Sequence, residues 1–78
     1  MWFVLFATAN PEQYGDLMHV LKNHKTPKGV KVHRKLKVFG KPDVVIIFES
    51  DSEKGAAEFV KQFGRVSDVR THLAILEE

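Results

Sequence analysis

Hydrophobic and polar positions follow two rhythms along this chain, and the changes of rhythm mark its elements. The run Val44-Val45-Ile46-Ile47-Phe48 is apolar throughout and mostly β-branched, with Gly40 and Pro42 before it and Ser50-Asp51-Ser52 after. Such a run reads as a strand buried on both faces. Trp2-Phe3-Val4-Leu5-Phe6-Ala7 is a second run of this kind, and it predicts a strand over residues 2–8 beside the first. From Val30 to Phe39 the pattern alternates, with Val30, Val32, Leu36 and Val38 on one phase and Lys31, His33, Lys35 and Lys37 on the other. A face of lysines predicts an edge strand guarded against stray pairing. Arg34 falls in the apolar phase, which predicts a bulge or bend. Val69 to Leu76 also alternates and is the fourth predicted strand, ahead of a solvated end at Glu77-Glu78.

The helical rhythm occurs twice. Tyr14, Leu17, Met18 and Leu21 form one stripe. Ahead of it, Asn10 suits an N-cap, Pro11 the first helical position, and Gln13 a return hydrogen bond to the cap. Thr26-Pro27-Lys28-Gly29 is turn chemistry that ends this helix near His24-Lys25. Ala56, Phe59, Val60 and Phe63 form the second stripe, with Ser50 and Glu53 as the expected capping box and Gly64 as the expected stop.

The resulting order β-α-β-β-α-β predicts an α+β, ferredoxin-like domain over residues 1–78. Both helices lie on one face of a four-stranded antiparallel sheet, and strands one and three are central. Those two strands then present five or six large apolar side chains on the face without helices. At ~1.5–3 kcal/mol each, leaving them wet forgoes roughly 8–18 kcal/mol, comparable to the ~5–15 kcal/mol stability of a whole domain. Sheet-to-sheet association with a second copy is the expected remedy, giving a homodimer or a dimer-based higher oligomer.

Composition narrows the alternatives. A chain of 78 residues makes one domain with a thin stability margin. It has no cysteine, so disulfides and thiolate metal sites are excluded and a partner chain is the remaining staple. The apolar run at the N-terminus is too short for a secretion signal and no Lys or Arg precedes it. No run approaches the length of a membrane span. The expectation is a soluble, cytoplasmic protein with no membrane partner.

The net charge of +2 is unevenly spread: between Asp16 and Asp43 there is no acid, while Lys22, Lys25, Lys28, Lys31, Arg34, Lys35, Lys37 and Lys41 all fall there. Such asymmetry fits an anionic partner.

Gly40-Lys41-Pro42-Asp43 leading into Val44-Val45-Ile46-Ile47, together with Ala56-Ala57-Glu58-Phe59 and Val69-Arg70-Thr71, resembles the dimeric α/β-barrel superfamily. Within it, the chain is most similar to GYD-domain-like proteins of unknown function and to the stand-alone ligand-sensing domain of the Lrp/AsnC regulators. In those families a Gly-x-Tyr-Asp turn introduces the same strand; here Pro42 replaces the Tyr. The resemblance implies a dimer that binds a small ligand at a subunit interface. The regulators' helix-turn-helix is missing, so direct transcriptional control is not implied.

Candidate chemistry is sparse. Asp43 is expected at the mouth of the sheet, either meeting a ligand or accepting hydrogen bonds from the turn backbone. Arg70 and His72 share one face of strand four, where they bind an anion or move a proton if that face lines an inter-subunit cavity, and are ordinary solvated residues if it points outward. His19 and His24 are five apart and fall on different helix faces, and His33 and His72 lie at opposite sheet edges, so no metal site is expected. No motif calls for a cofactor.

The main expectation is non-catalytic binding of a small polar or anionic metabolite through Asp43, Arg70 and His72. The first alternative is a cofactor-free oxygenase or isomerase of the dimeric α/β-barrel class using His72 and Asp43. The haem-degrading relatives use Asn, Trp and His in that chain order, which Trp2, Asn10 and His72 do not reproduce. The second alternative is nucleic-acid binding through the basic 22–41 segment. It is disfavoured because Asp43 and Val45 stand where an RNA-recognition sheet needs stacking aromatics.

Overall fold

The structure, a computed structural model, describes residues 1–77. Its elements run β1 (Trp2–Thr8), α1 (Tyr14–Asn23), β2 (Val30–Lys37), β3 (Val44–Ser50), α2 (Glu53–Gly64) and β4 (Asp68–Ala74). The strands form one antiparallel sheet in the order β2-β3-β1-β4. The two fully apolar runs occupy the centre, and the lysine-rich β2 is an edge. This is the ferredoxin-like arrangement expected from the pattern.

Alternate residues of the central strands divide the sheet. Phe3, Leu5 and Ala7 of β1 and Val44, Ile46 and Phe48 of β3 are buried and share one core with Leu17 and Leu21 of α1 and Ala56, Phe59 and Phe63 of α2. An aromatic contact ties the layers: Phe48 of β3 meets Phe59 of α2 at 4.8 Å between centroids. Both helices therefore cover the same face, and the molecule is a two-layer slab of 35 × 26 × 16 Å.

Local details refine the expected boundaries. Asn10 Oδ1 accepts from the Gln13 N–H at 2.9 Å and Gln13 Oε1 accepts from the Asn10 N–H at 3.3 Å, so the reciprocal box forms, although regular helix starts only at Tyr14. Tyr14 is exposed rather than in the core stripe, because it stands at the very start of α1, ahead of the turn that meets the sheet.

At α2 the cap is Ser52, not Ser50: Ser52 Oγ accepts from the Gly55 N–H at 3.0 Å. Ser50 is buried at the end of β3, where its hydroxyl donates to the Ser52 carbonyl at 2.7 Å. The strand runs through Ser50, and the helix cap falls two residues later than expected. Gly64 closes α2 as its last residue. β4 starts one residue earlier than expected and stops at Ala74; Glu77 is exposed, and Glu78 lies outside the described residues.

The bulge expected at Arg34 is present. The β2–β3 register shifts between Val32 and Arg34, leaving His33 as the extra residue. Before it, Val30 and Val32 face the helices; after it, Lys35 and Lys37 pair with the buried Ile46 and Val44 and take the helix-side phase, while Leu36 joins the opposite face.

Candidate functional site

The face of the sheet turned away from the helices is built by the other half of the alternation. Trp2, Val4 and Phe6 of β1 lie beside Glu49, Ile47 and Val45 of β3, and beside Ala74, His72 and Arg70 of β4. Leu36 extends the apolar strip opposite Val45. The centre is thus apolar, and polar groups stand at both edges. Beyond β4, Ile75, Leu76 and Glu77 border Trp2, Ile47 and Ala74 around a shallow, largely apolar trough of about 320 Å³.

At the β4 edge the structure brings Arg70 and His72 onto this face. The His72 ring meets Phe6 edge-on, with centroids 5.7 Å apart and planes at 68°. At the β2 edge the bulge puts His33 and Arg34 together. His33 Nε2 lies 2.7 Å from Glu49 Oε1, and its ring stacks on Trp2 at 4.4 Å. The Arg34 guanidinium donates to the His33 carbonyl at 2.9 Å, which fixes the bulged backbone.

The Trp2–His33–Glu49 cluster is absent from the sequence-derived site. The displaced phase at Arg34 is its one sequence signal, because a bulge there puts His33 on the same face; the partner across β3 depends on register.

Asp43 is placed elsewhere. Its Oδ2 accepts from the Ala9 N–H at 2.8 Å and lies 3.9 Å from Lys41 Nζ, and that ammonium donates to the Ala9 carbonyl at 3.2 Å. Asp43 therefore clamps the β2–β3 turn to the end of β1. Among the described residues no hydrogen bond or ion pair joins it to Arg70 or His72.

On the helix side, His24 caps the C-terminal end of α1. Its ring lies edge-on to Phe59 at 5.2 Å, and Nε2 is 3.3 Å from Lys35 Nζ. Burial, reinforced by the Lys35 charge and opposed by the Lys25 backbone, holds its pKa below the ordinary 6.5. Gln62 braces the loop that follows, accepting from the Lys25 N–H at 2.8 Å and donating to the Lys25 carbonyl at 2.7 Å.

The basic residues of β2 divide between the two faces of the sheet. Lys31 and Arg34 take the open-face phase, whereas Lys35 and Lys37 take the helix-side phase. On β3 the open face carries Val45, Ile47 and Glu49, with no ring for base stacking. Among the described residues no group of three or more His, Asp or Glu is placed to hold a metal ion, and no helix is long and apolar enough to cross a membrane.

These features define a small ferredoxin-like α+β domain with one sheet face uncovered. Comparison with family models, with curated proteins and with solved structures finds no match.

Proposed function

We propose that this chain acts as a homodimer, packed sheet to sheet, that binds a small polar or anionic metabolite at the subunit interface without catalysing a reaction. The observation that carries this reading is the uncovered face, apolar along Trp2, Val4, Phe6, Val45 and Ile47, with Arg70 and His72 on one flank. The surface area supports it. The chain exposes 5467 Å², against roughly 4,800 Å² for a folded monomer of its mass. The excess is close to the ~800 Å² that each partner contributes to a standard interface. A second copy covers the apolar centre, and the flanking groups remain at the rim, where Arg70 offers a bidentate fork to a carboxylate or phosphate. The resemblance to dimeric α/β-barrel proteins with sensing roles points the same way.

A thermal-shift screen of amino acids, carboxylates and phosphorylated metabolites tests the binding reading. A ligand that binds only the folded state raises the melting temperature. The expected result is a stabilising compound whose effect is lost in Arg70→Ala; a panel with no stabilising member contradicts it.

A second reading, cofactor-free oxygenase or isomerase chemistry, draws on the His33–Glu49 pair. With Nε2–H donating to the carboxylate, Nδ1 carries the lone pair of a general base. Turnover abolished by His33→Ala, with dimerisation retained, favours this reading over simple binding.

A further inference from the structure

The bulge at His33 has a consequence on the helix side of the sheet, away from the face proposed to dimerise. Because Lys35 and Lys37 take the inward phase, their aliphatic stems lie beside α1 where the core would otherwise continue. Between α1 and this half of β2 runs an open groove of about 750 Å³, walled on the helix by Gly15, Met18, Leu21 and Lys22 and on the strand by Lys35 and Lys37. The helix residues recur at three- and four-residue steps and form one stripe. Among the described residues no carboxylate lines the groove.

Lys35 is held in place by donating to the Leu21 carbonyl at 2.9 Å. Lys22 and Lys37 form no ion pair among the described residues. The groove thus combines an apolar floor with unneutralised ammonium groups at its rim.

Gly15 is the second, independent observation. Glycine is among the poorest helix formers, yet a Cβ at this position meets nothing within 4 Å among the described residues, so no packing there requires its absence. Its missing side chain widens the groove.

We infer that this groove binds a small amphiphilic anion, a carboxylate or phosphate carrying an apolar chain, with the chain against Met18, Leu21 and the bare Gly15 position and the anion between Lys22 and Lys37. The volume lies in the range of small-molecule sites. This site lies outside the proposed dimer interface, and its test does not depend on that reading.

The experiment is an amide-detected NMR titration of the full chain with decanoate. Decanoate shifts the signals of Met18, Leu21 and Lys37. Lys37→Glu weakens its binding roughly fivefold, and Gly15→Leu, which fills open space rather than the core, abolishes it. Decanol and inorganic phosphate, each carrying half of the chemistry, bind more weakly than decanoate. Equal binding by decanol or by phosphate overturns the proposal, as does decanoate binding unchanged in Gly15→Leu. If the latter variant fails to fold, unchanged affinity in Lys37→Glu overturns it equally. Co-sedimentation with phosphatidylglycerol vesicles, with no response to free decanoate, reassigns the groove to a lipid surface and overturns it too.

Discussion

The indole of Trp2 lies nearly flat on the imidazole of His33, with ring centroids 4.4 Å apart and planes inclined by 22°. The two residues stand on different strands, with Glu49 of β3 between them; Glu49 is the neighbour of Trp2 in the sheet and the hydrogen-bond partner of His33. A bulge on an edge strand thereby reaches across β3 to a central strand and joins the rim of the open face to its apolar centre.

That stack is readable because Trp2 is the only tryptophan in the chain. His33→Ala removes a ring pair of a kind worth about 0.5–1.5 kcal/mol. It is expected to lower stability by about that amount and to change both the intensity and the wavelength of Trp2 emission. Unchanged emission and an unchanged urea midpoint contradict the contact.

His24 gives the fold a pH dependence of known sign. Burial and then the Lys35 charge favour its neutral form in the folded chain, so the unfolded chain takes up the proton first as the pH falls. The stabilising contribution is complete above the unfolded value of 6.5 and is lost as pH drops through the lowered folded value. His24→Phe keeps a ring beside Phe59 and Phe63 and has no proton to take up. The fall in melting temperature between about pH 7 and pH 5 is expected to be smaller in this variant than in the natural chain; equal falls contradict the assignment.

Thr71 of β4 holds a buried hydroxyl oxygen with no hydrogen-bond partner among the described residues. Leaving such a group unsatisfied costs about 1–3 kcal/mol. Thr71→Val keeps the shape and β-branching and removes the orphan. It is expected to stabilise the chain by about 1 kcal/mol, a rise of roughly 4–8 °C in melting temperature for a domain of this size. A loss of stability contradicts the burial of that oxygen.

Most of the fold is legible in the residue pattern, for identifiable reasons. Two fully apolar runs can only be central strands, and the lysines of β2 mark an edge. Arg34 out of phase signals the bulge because side chains alternate strictly along a strand. One exception lies inside β2, where the bulge moves Leu36 to the face opposite Val30 and Val32; the others lie at element ends, where single hydrogen bonds decide. Ser50 and Ser52 are equally plausible caps by residue type, and only the reach of β3 selects Ser52.

The candidate site was legible only in part. The common face of Arg70 and His72 follows from alternation, and its direction away from the helices follows once Val69 packs against the core. The turn role of Asp43 was one of two readings that its residue type allowed, and the Ala9 N–H is the partner that engages it. The Trp2–His33–Glu49 cluster needs three strands in register, which no local pattern encodes. The groove at Gly15 needs the bulge to redirect Lys35 and Lys37, and it too emerges only when the strands are paired.

The central claim is that a second copy covers the open face of the sheet. Ile47 sits in the middle of that face, beside Val4, and outside the monomer's own core. Sedimentation equilibrium at low micromolar concentration, run on the natural chain and on Ile47→Lys, tests the claim most directly. The predicted result is a mass of twice the 8.9 kDa chain for the former and a folded single chain for the latter. A compact, stable monomer for the natural chain would contradict it.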